Sequence, residues 1–444
     1  PGRCVAGGCL LATTILYVDG KNGGEEKGTR SAPFRTIMTA VKIAKSITAI
    51  FVAEGTYREK VVIDSKHLEI VGGYPGAKTA DYAGGKDGDF LMRDPVMYPT
   101  RVDAGSGPAL ALRQAGSTLV AGFSITGGGR GVLCEGGAPL IVGCRITDHV
   151  AASLSGGGIF ADHCDLTLRD SEISRNVGSR GGGIASDGGT LTIEGNQIRD
   201  NKGKDDHGGG LYLVEGKVTL RDNHIAGNEV GVEKGYGWGG GVAIIHGQGV
   251  LQGNVISGNL ATTYGSGVFI DDGSDVKLEN ELYVANRCGE GGAGLYVDGL
   301  DASTYSKATL LNVTIADHHC ADGIGQALLI EESTVIVRNT IFWNNGGGEV
   351  FVASGKLVAT YTDSATKLPG TGNLSVNPGF AGKGAWSYNL LSTRGRWDGS
   401  AWVQDSADSP CIDTGDPATG IGREPMPHGG RPNMGAFGRT ATAS

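Results

Sequence analysis

The chain has 444 residues, a formal net charge of −9 and 79 glycines. No run of 18 apolar residues occurs, which excludes a transmembrane helix by hydropathy, and without a basic stripe the acidic balance argues against nucleic acid as a partner. The glycines far exceed the ~7% of an average chain, and they fall between short alternating runs, which points to turns rather than to disorder.

Residues 1–14 read as a leader or remnant, the tail of an export signal or a cloning scar; Cys9 behind Ala-Gly-Gly resembles a lipoprotein cleavage box, but the apolar run that should precede it is missing. Residues 15–126 read as an N-terminal cap with the first coils. A short amphipathic helix is predicted to run to about Ser46, with Pro33 near its first turn and Ile37, Ala40, Val41 and Ala44 on one face. Short strands are predicted over 49–53, 55–57 and 60–63. Residues 72–100 are polar and rich in Gly and Asp, and read as an excursion before coils resume at 100–103, 110–112 and 123–125.

Residues 127–345 carry a repeat. Copies start at Gly156, Gly181, Gly208, Gly239, Gly265 and Gly292, separated by 25, 27, 31, 26 and 27 residues, with a degenerate copy near Gly325. Such a period means stacked repeats. Each copy holds three alternating runs, 184–186, 191–193 and 197–200 in one of them. Three strands of that length bury no face alone, but stacked copies do. Two columns are predicted to point inward: Ile159, Ile184, Leu211, Val242, Val268, Leu295, Leu328, and Ala161, Ser186, Leu213, Ile244, Ile270, Val297, Ile330. Two further columns are assigned to stacked amides at turns. One holds Asn196, Asn223, Asn254 and, past a lapse at Val313, Asn339. The other holds Asn176, Asn201, Asn228, Asn259, Asn286, His318 and Asn344. The copy at Gly292 carries an insert over 299–307. From 346 to 444 the period dissolves into last coils and a C-terminal cap, with Trp386, Trp397 and Trp402 and the phrases Ser409-Pro410-Cys411-Ile412-Asp413 and Asn433-Met434-Gly435-Ala436-Phe437-Gly438.

A three-strand coil with an internal asparagine ladder resembles the right-handed parallel β-helix of the pectate-lyase-like superfamily. The entry segment and the two closing phrases resemble the ends of secreted bacterial β-helix proteins. The Gly-Gly-Gly and Ile-Ser-Gly-Asn phrasing resembles polymorphic outer-membrane-type passengers. The resemblance implies an all-β solenoid plugged by a short N-terminal helix and closed by an irregular C-terminal cap. It further implies a monomer, secreted or displayed at the cell surface. That group is functionally mixed, so it implies a fold more than an activity.

Cys288 and Cys320 each follow a ladder position by two residues in consecutive coils, which places their Cα atoms about one strand spacing apart, within the disulfide range of roughly 4.4–6.8 Å. Cys134 and Cys164 lie in comparable loops of another adjacent pair. Both pairs are expected to bond, the alternative being buried free thiols.

In the superfamily, polysaccharide enzymes work on the outside of one parallel sheet, which here corresponds to the sheet begun by the triple glycines. Tyr212 and Phe269 on its outward column, with Tyr236, Trp238 and Tyr264 beside it, are candidates for stacking on sugar faces; loops covering them is the alternative. A lyase acting on a uronic acid needs a cation for the carboxylate and a base at the α-carbon. Arg180, Lys204, Asp206, His207 and Lys234 are the catalytic candidates, against the reading that they are solvated loop residues. Asp205, Asp271, Asp272 and Asp275 are candidates for Ca²⁺, although turn chemistry also accounts for acids there. The expectation is a protein binding a polysaccharide or surface glycan, a lyase rather than a hydrolase if it is an enzyme. A non-catalytic adhesin, passenger or spacer is the rival.

Overall fold

Glycine is required before each coil for reasons that differ by position. In Gly181-Gly182-Gly183 the first residue takes φ +59°, a left-handed conformation that favours glycine. A Cβ on the second would lie 2.4 Å from the Lys202 backbone, and one on the third 2.7 Å from the Gly210 carbonyl oxygen. The phrase therefore recurs wherever the entry of one coil lies against its neighbour, and it sets the register of all that follows.

The computed structural model describes residues 12, 14–299, 305–323, 326–382 and 388–444, with the strand backbones Cys4–Val5 and Gly8–Cys9. Gly325, Trp386, the centre of the 299–307 insert and most of the 1–14 leader lie outside these residues. The chain divides into two compact units, Pro1–Lys204 with Gly210–Val218, and Asp205–Gly209 with Thr219–Ser444.

In the first unit the glycine-started sheet runs in parallel through Val61–Asp64, Leu110–Arg113, Val132–Glu135, Ile159–Asp162, Ile184–Asp187 and Leu211–Val214. A second parallel sheet takes Leu68–Tyr74, Leu119–Ala121, Leu140–Val142, Thr167–Arg169 and Thr190–Glu194. A third takes Thr100–Asp103, Phe123–Thr126, Arg145–Thr147, Glu172–Ser174 and Gln197–Arg199. The fold is an all-β, right-handed parallel β-helix. Each regular coil adds a two-residue strand in a short fourth ladder, as in Val150–Ala151, Val177–Gly178 and Lys202–Gly203. Ile159, Ile184 and Leu211 stand in register and fully buried, as do Val242, Val268, Leu295 and Leu328 in the second unit. Burying each such side chain favours folding by roughly 1.5–3 kcal/mol.

The cap helix is shorter than predicted, Ile37–Ile43, and Pro33 lies outside it. Its start is set by Thr36, whose hydroxyl accepts from the Thr39 N–H, and by Glu59, whose carboxylate accepts from the N–H groups of Ile37 and Met38 at 2.8 and 2.9 Å. Negative charge at this end suits the helix dipole. Ile37 meets Val61, Ile70, Val102 and Leu110 inside the solenoid. The excursion after residue 72 holds a second helix, Thr79–Ala83, pinned by Tyr82, whose hydroxyl donates to Asp19 at 2.7 Å.

Buried asparagines bond from coil to coil. Asn228, Asn259 and Asn286 each sit at the same turn: the Asn259 Oδ1 accepts from the Asn228 N–H and side-chain amide at 2.9 and 3.0 Å, and the Asn286 Oδ1 accepts from Asn259 likewise. His318 continues this column, accepting from the Asn286 N–H through Nδ1 at 3.0 Å. The next member is Asn345, not Asn344, because the His318 N–H donates to the Asn345 Oδ1. The other column needs the same correction. Asn254 is followed by Glu281, Val313 and Thr340. Asn339 stands one residue earlier, in line with Asn280 and Asn312, and all three take left-handed φ angles of 52–55°.

Those three asparagines face outward and hold the C-terminal cap. Asn280 donates to the carbonyls of Ala436 and Gly438, Asn312 to that of Asn433, and Asn339 to the Thr419 hydroxyl while accepting from the Asp416 N–H. The second closing phrase is thus a strap along the flank of the coils in the second unit.

Glu281 interrupts its column with an acid at a fully buried site. Its Oε1 accepts from the Asn254 N–H and side-chain amide at 2.9 and 2.8 Å. Burial pushes its carboxyl up to about 8. The folded protein therefore binds this proton more tightly than the unfolded chain does. The resulting stability is complete below the unfolded value of about 4.3 and is lost as pH rises through about 8. Urea unfolding at pH 5 and pH 9 is expected to show lower stability at pH 9. Glu281→Gln, which keeps the acceptor and removes the titration, is expected to be the more stable protein at pH 9 and to show a smaller difference between the two pH values.

Among the described residues, two disulfides join neighbouring coils. Cys288 and Cys320 pair in register with Cα atoms 4.4 Å apart, and the Cα atoms of Cys134 and Cys164 are 6.1 Å apart. Cys144 and Cys411 are buried free thiols.

Candidate functional site

Strand alternation decides what the second unit presents on its glycine-started sheet. In Val242–Ile245, Val268–Asp271, Leu295–Val297 and Leu328–Ile330 the inward residues occupy the first and third positions. Ala243, Phe269, Tyr296 and Leu329 therefore stand outward, and Asp271, Asp298 and Glu331 form the next outward column.

The first of these columns is not open to solvent. Phe269, Tyr296 and Leu329 are each 3% exposed. Aromatic side chains from the line His207, Trp238, Tyr264 cover them: His207 stacks 5.8 Å from Phe269, Tyr264 lies 5.1 Å from Tyr296, and His207 and Trp238 stack at 5.2 Å. Phe269 is thus corrected from a sugar platform to the inner layer of an aromatic pack. Tyr264 is half-buried, and a hydrogen bond to Glu290 pushes its hydroxyl up to about 12. Tyr236 is exposed, with its ring 5.9 Å from that of Trp238.

The acids beside this pack come together more closely than the sequence reading foresaw. The Tyr296 hydroxyl lies 2.6 Å from the Asp298 carboxylate and 2.5 Å from that of Glu331. One hydroxyl proton cannot serve two ionised carboxylates, so both contacts are hydrogen bonds only when one acid keeps its own proton. Burial, with the charges of Glu331 and Glu332, holds Asp298 above its ordinary value. Asp271, one coil away, is pushed up to about 6 by burial and by Asp298 and Asp272.

The predicted catalytic set is divided between the two units. In the first, the Arg180 guanidinium lies 5.5 Å above the Tyr212 ring, and Lys204 borders a groove of about 460 Å³ with Arg130 and Leu154. In the second, Lys234 pairs with Asp205 at 2.7 Å, and Asp206 with His207 at 3.1 Å. Asp205 holds the Lys234 ammonium above its ordinary value. That is the wrong direction for a lysine base, which works with a lowered pKa.

The proposed calcium ligands do not converge. Asp205 is taken by Lys234, Asp272 lies 3.6 Å from His246, and Asp275 opens a strand of another sheet. Among the described residues no three His, Cys, Asp or Glu side chains form a metal-binding group. Turn geometry accounts for Glu215, His246, Asp272 and Glu332, which all take left-handed φ. Asp298 lies at the position before this turn residue and aligns with Glu331, the residue before Glu332.

A family model described as a right handed beta helix region matches residues 100–259. A second, described as disaggregatase related, matches residues 215–415. No curated protein matches the chain. Among solved structures, pectate lyase Pel9A is 13% identical with a TM-score of 0.46, covering 97% of this chain and 98% of that one. The complex of XylC with xylose is 11% identical with a TM-score of 0.39, covering 85% and 88%. A rhamnogalacturonan lyase is 11% identical with a TM-score of 0.29, covering 79% and 87%. At these values the structural likenesses carry no argument about chemistry.

Proposed function

We propose that the chain binds a neutral polysaccharide on the glycine-started sheet of its second unit and hydrolyses it with Asp298 and Glu331. The observation that carries this reading is the pair of carboxyl groups bridged by Tyr296. Their oxygens lie within the combined reach of the two contacts, about 5 Å. That ceiling lies below the roughly 6.5–9.5 Å of inverting glycoside hydrolysis and beside the roughly 5–5.5 Å of retaining hydrolysis, in which one carboxyl attacks the anomeric carbon and the other moves the proton. Asp298, with its raised pKa, takes the acid/base role, and Glu331 takes the nucleophilic role. Tyr236 and Trp238 supply rings for sugar faces.

Local charge favours a neutral glycan over the uronic-acid chain first expected. Asp271, Asp298, Glu331, Glu332 and Glu290 cluster there, and a polyuronate would meet like charge. The raised Lys234 removes the support for a lysine-based lyase. The two disulfides suit an oxidising compartment, so secretion or display at the cell surface belongs to the proposal.

The test is a panel of neutral and acidic polysaccharides, with and without Ca²⁺, read for new reducing ends and for absorbance at about 235 nm, where unsaturated uronic products absorb. Reducing ends from a neutral glycan without ultraviolet absorbance are the expected result. An absorbance rise on a uronic substrate overturns hydrolysis in favour of a lyase, and a flat response across the panel favours a non-catalytic adhesin or spacer.

A further inference from the structure

The excursion of the first unit carries four exposed apolar side chains in seven residues. Leu91 is 64% exposed, Met92 68%, Val96 87% and Met97 67%. They are held in place by the chain around them. Asp89 accepts through Oδ1 from the N–H groups of Leu91 and Met92, and Asp94 accepts in the same way from Val96 and Met97. These are two consecutive Asx turns, and each presents a pair of apolar residues to solvent. Between them, Arg93 donates through Nε to the Gly72 carbonyl at 2.9 Å, and the Asp94 N–H bonds to Gly73. Phe90, directly before the first pair, is buried and packs 4.8 Å from Tyr17 and 5.8 Å from Tyr74. The same short segment thus anchors one apolar residue inside and turns four outward.

We propose that residues 89–98 insert these four side chains into the surface of a lipid bilayer. Their exposed surface is on the order of 500 Å², within the ~300–600 Å² of the largest, often functional, apolar patch of a monomer. It falls short of the ~800 Å² per partner of a stable protein pair, which argues against a second copy as the occupant. The charges around the tip leave a small acidic excess. Lys86 pairs with Asp81 at 3.0 Å, Arg30 approaches Asp87 at 3.9 Å, and Arg93 stands between Asp89 and Asp94. A nearly neutral apolar tip fits the acyl boundary beneath zwitterionic headgroups rather than an anionic surface. Tyr98, half-buried directly after Met97, offers a ring with one wet edge, the kind of side chain that settles at headgroup level.

The experiment is co-sedimentation of the whole protein with phosphatidylcholine vesicles, and with phosphatidylcholine vesicles containing phosphatidylserine, at low and high salt. The protein is expected to bind, with little dependence on salt, and the combined variant Leu91→Ser, Met92→Ser, Val96→Ser, Met97→Ser to partition at least about tenfold more weakly. Met97→Trp, independent of whether the fourfold variant folds, is expected to show blue-shifted emission on vesicles relative to its parent. Three outcomes overturn the proposal: a parent protein that stays in the supernatant, a fourfold variant that binds as well as the parent, and binding that needs anionic lipid and vanishes in salt. A dimer of the parent in sedimentation equilibrium, lost in the fourfold variant, would assign the surface to a second copy instead.

Discussion

Asn259→Ala is expected to lower the stability of the second unit by roughly 4–6 kcal/mol, because the change removes a side chain that makes four buried hydrogen bonds. The Asn259 amide donates to the Ile225 carbonyl and the Asn286 Oδ1, both at 3.0 Å, and its Oδ1 accepts from the N–H and the side-chain amide of Asn228. The site is fully buried, so water does not replace these bonds. Each buried polar group left unpaired costs about 1–3 kcal/mol, and the terms do not simply add. A loss of that size approaches the whole stability of many domains, ~5–15 kcal/mol. The control is Asn344→Ala. Asn344 is exposed, bonds to Asp317 and takes a left-handed φ of 57° that Ala tolerates poorly, so the expected cost is about 1–2 kcal/mol, clearly below that of the buried rung. Urea unfolding measures both, and hydrogen exchange at the Asn228 amide reports the broken rung directly. Equal costs for the two variants would mean that the buried column does not support the coils.

The second large effect belongs to the carboxyl pair. On whichever glycan the panel identifies, Glu331→Gln and Asp298→Asn are each expected to lower turnover by on the order of 10²–10⁴-fold, with KM changed far less. Both substitutions keep side-chain volume and leave the aromatic pack in place. The pH profile separates the two roles. In the wild-type protein, activity should be lost as pH rises through the raised pKa of Asp298, because the acid must hold its proton to give it to the leaving oxygen. In Asp298→Asn that alkaline limb should disappear from the residual activity. Tyr296→Phe removes the hydroxyl that bridges the pair and should move the limb without abolishing turnover. Unchanged kinetics in all three variants would assign the cluster a purely structural role.

The inward columns were legible because the triple glycine pins each strand to its neighbour, and Ile159, Ile184 and Leu211 could be lined up without coordinates. Asn339 and Asn344 were misplaced because the left-handed residue just before each ladder position also favours Asn and Asp. One-letter identity does not separate a residue that turns the chain from the residue that fills the turn. The same ambiguity hid the alignment of Asp298 with Glu331. The aromatic residues were correctly placed on the outer face, but composition says nothing about rings covering other rings, so the burial of Phe269 was out of reach. The helix was drawn too long because apolar periodicity continues through Ala44, whereas Thr36 and Glu59 decide where the first turn closes.

The strap along the flank acts as a ruler. Asn280, Asn312 and Asn339 stand one per coil, so their spacing is that of the strands, ~4.8 Å; the strap backbone meets the first two at Ala436 and Gly438 and at Asn433, and the cap segment before it holds Asn339 through the Asp416 N–H and the Thr419 hydroxyl. A coil duplicated or deleted between Asn280 and Asn339 would move these groups apart or together by a whole rung, and the strap would lose its marks. Coils before Asn280 lie outside this set of hydrogen bonds. Growth and loss of repeats in relatives of this chain should therefore concentrate upstream, with the last three rungs kept at a constant count.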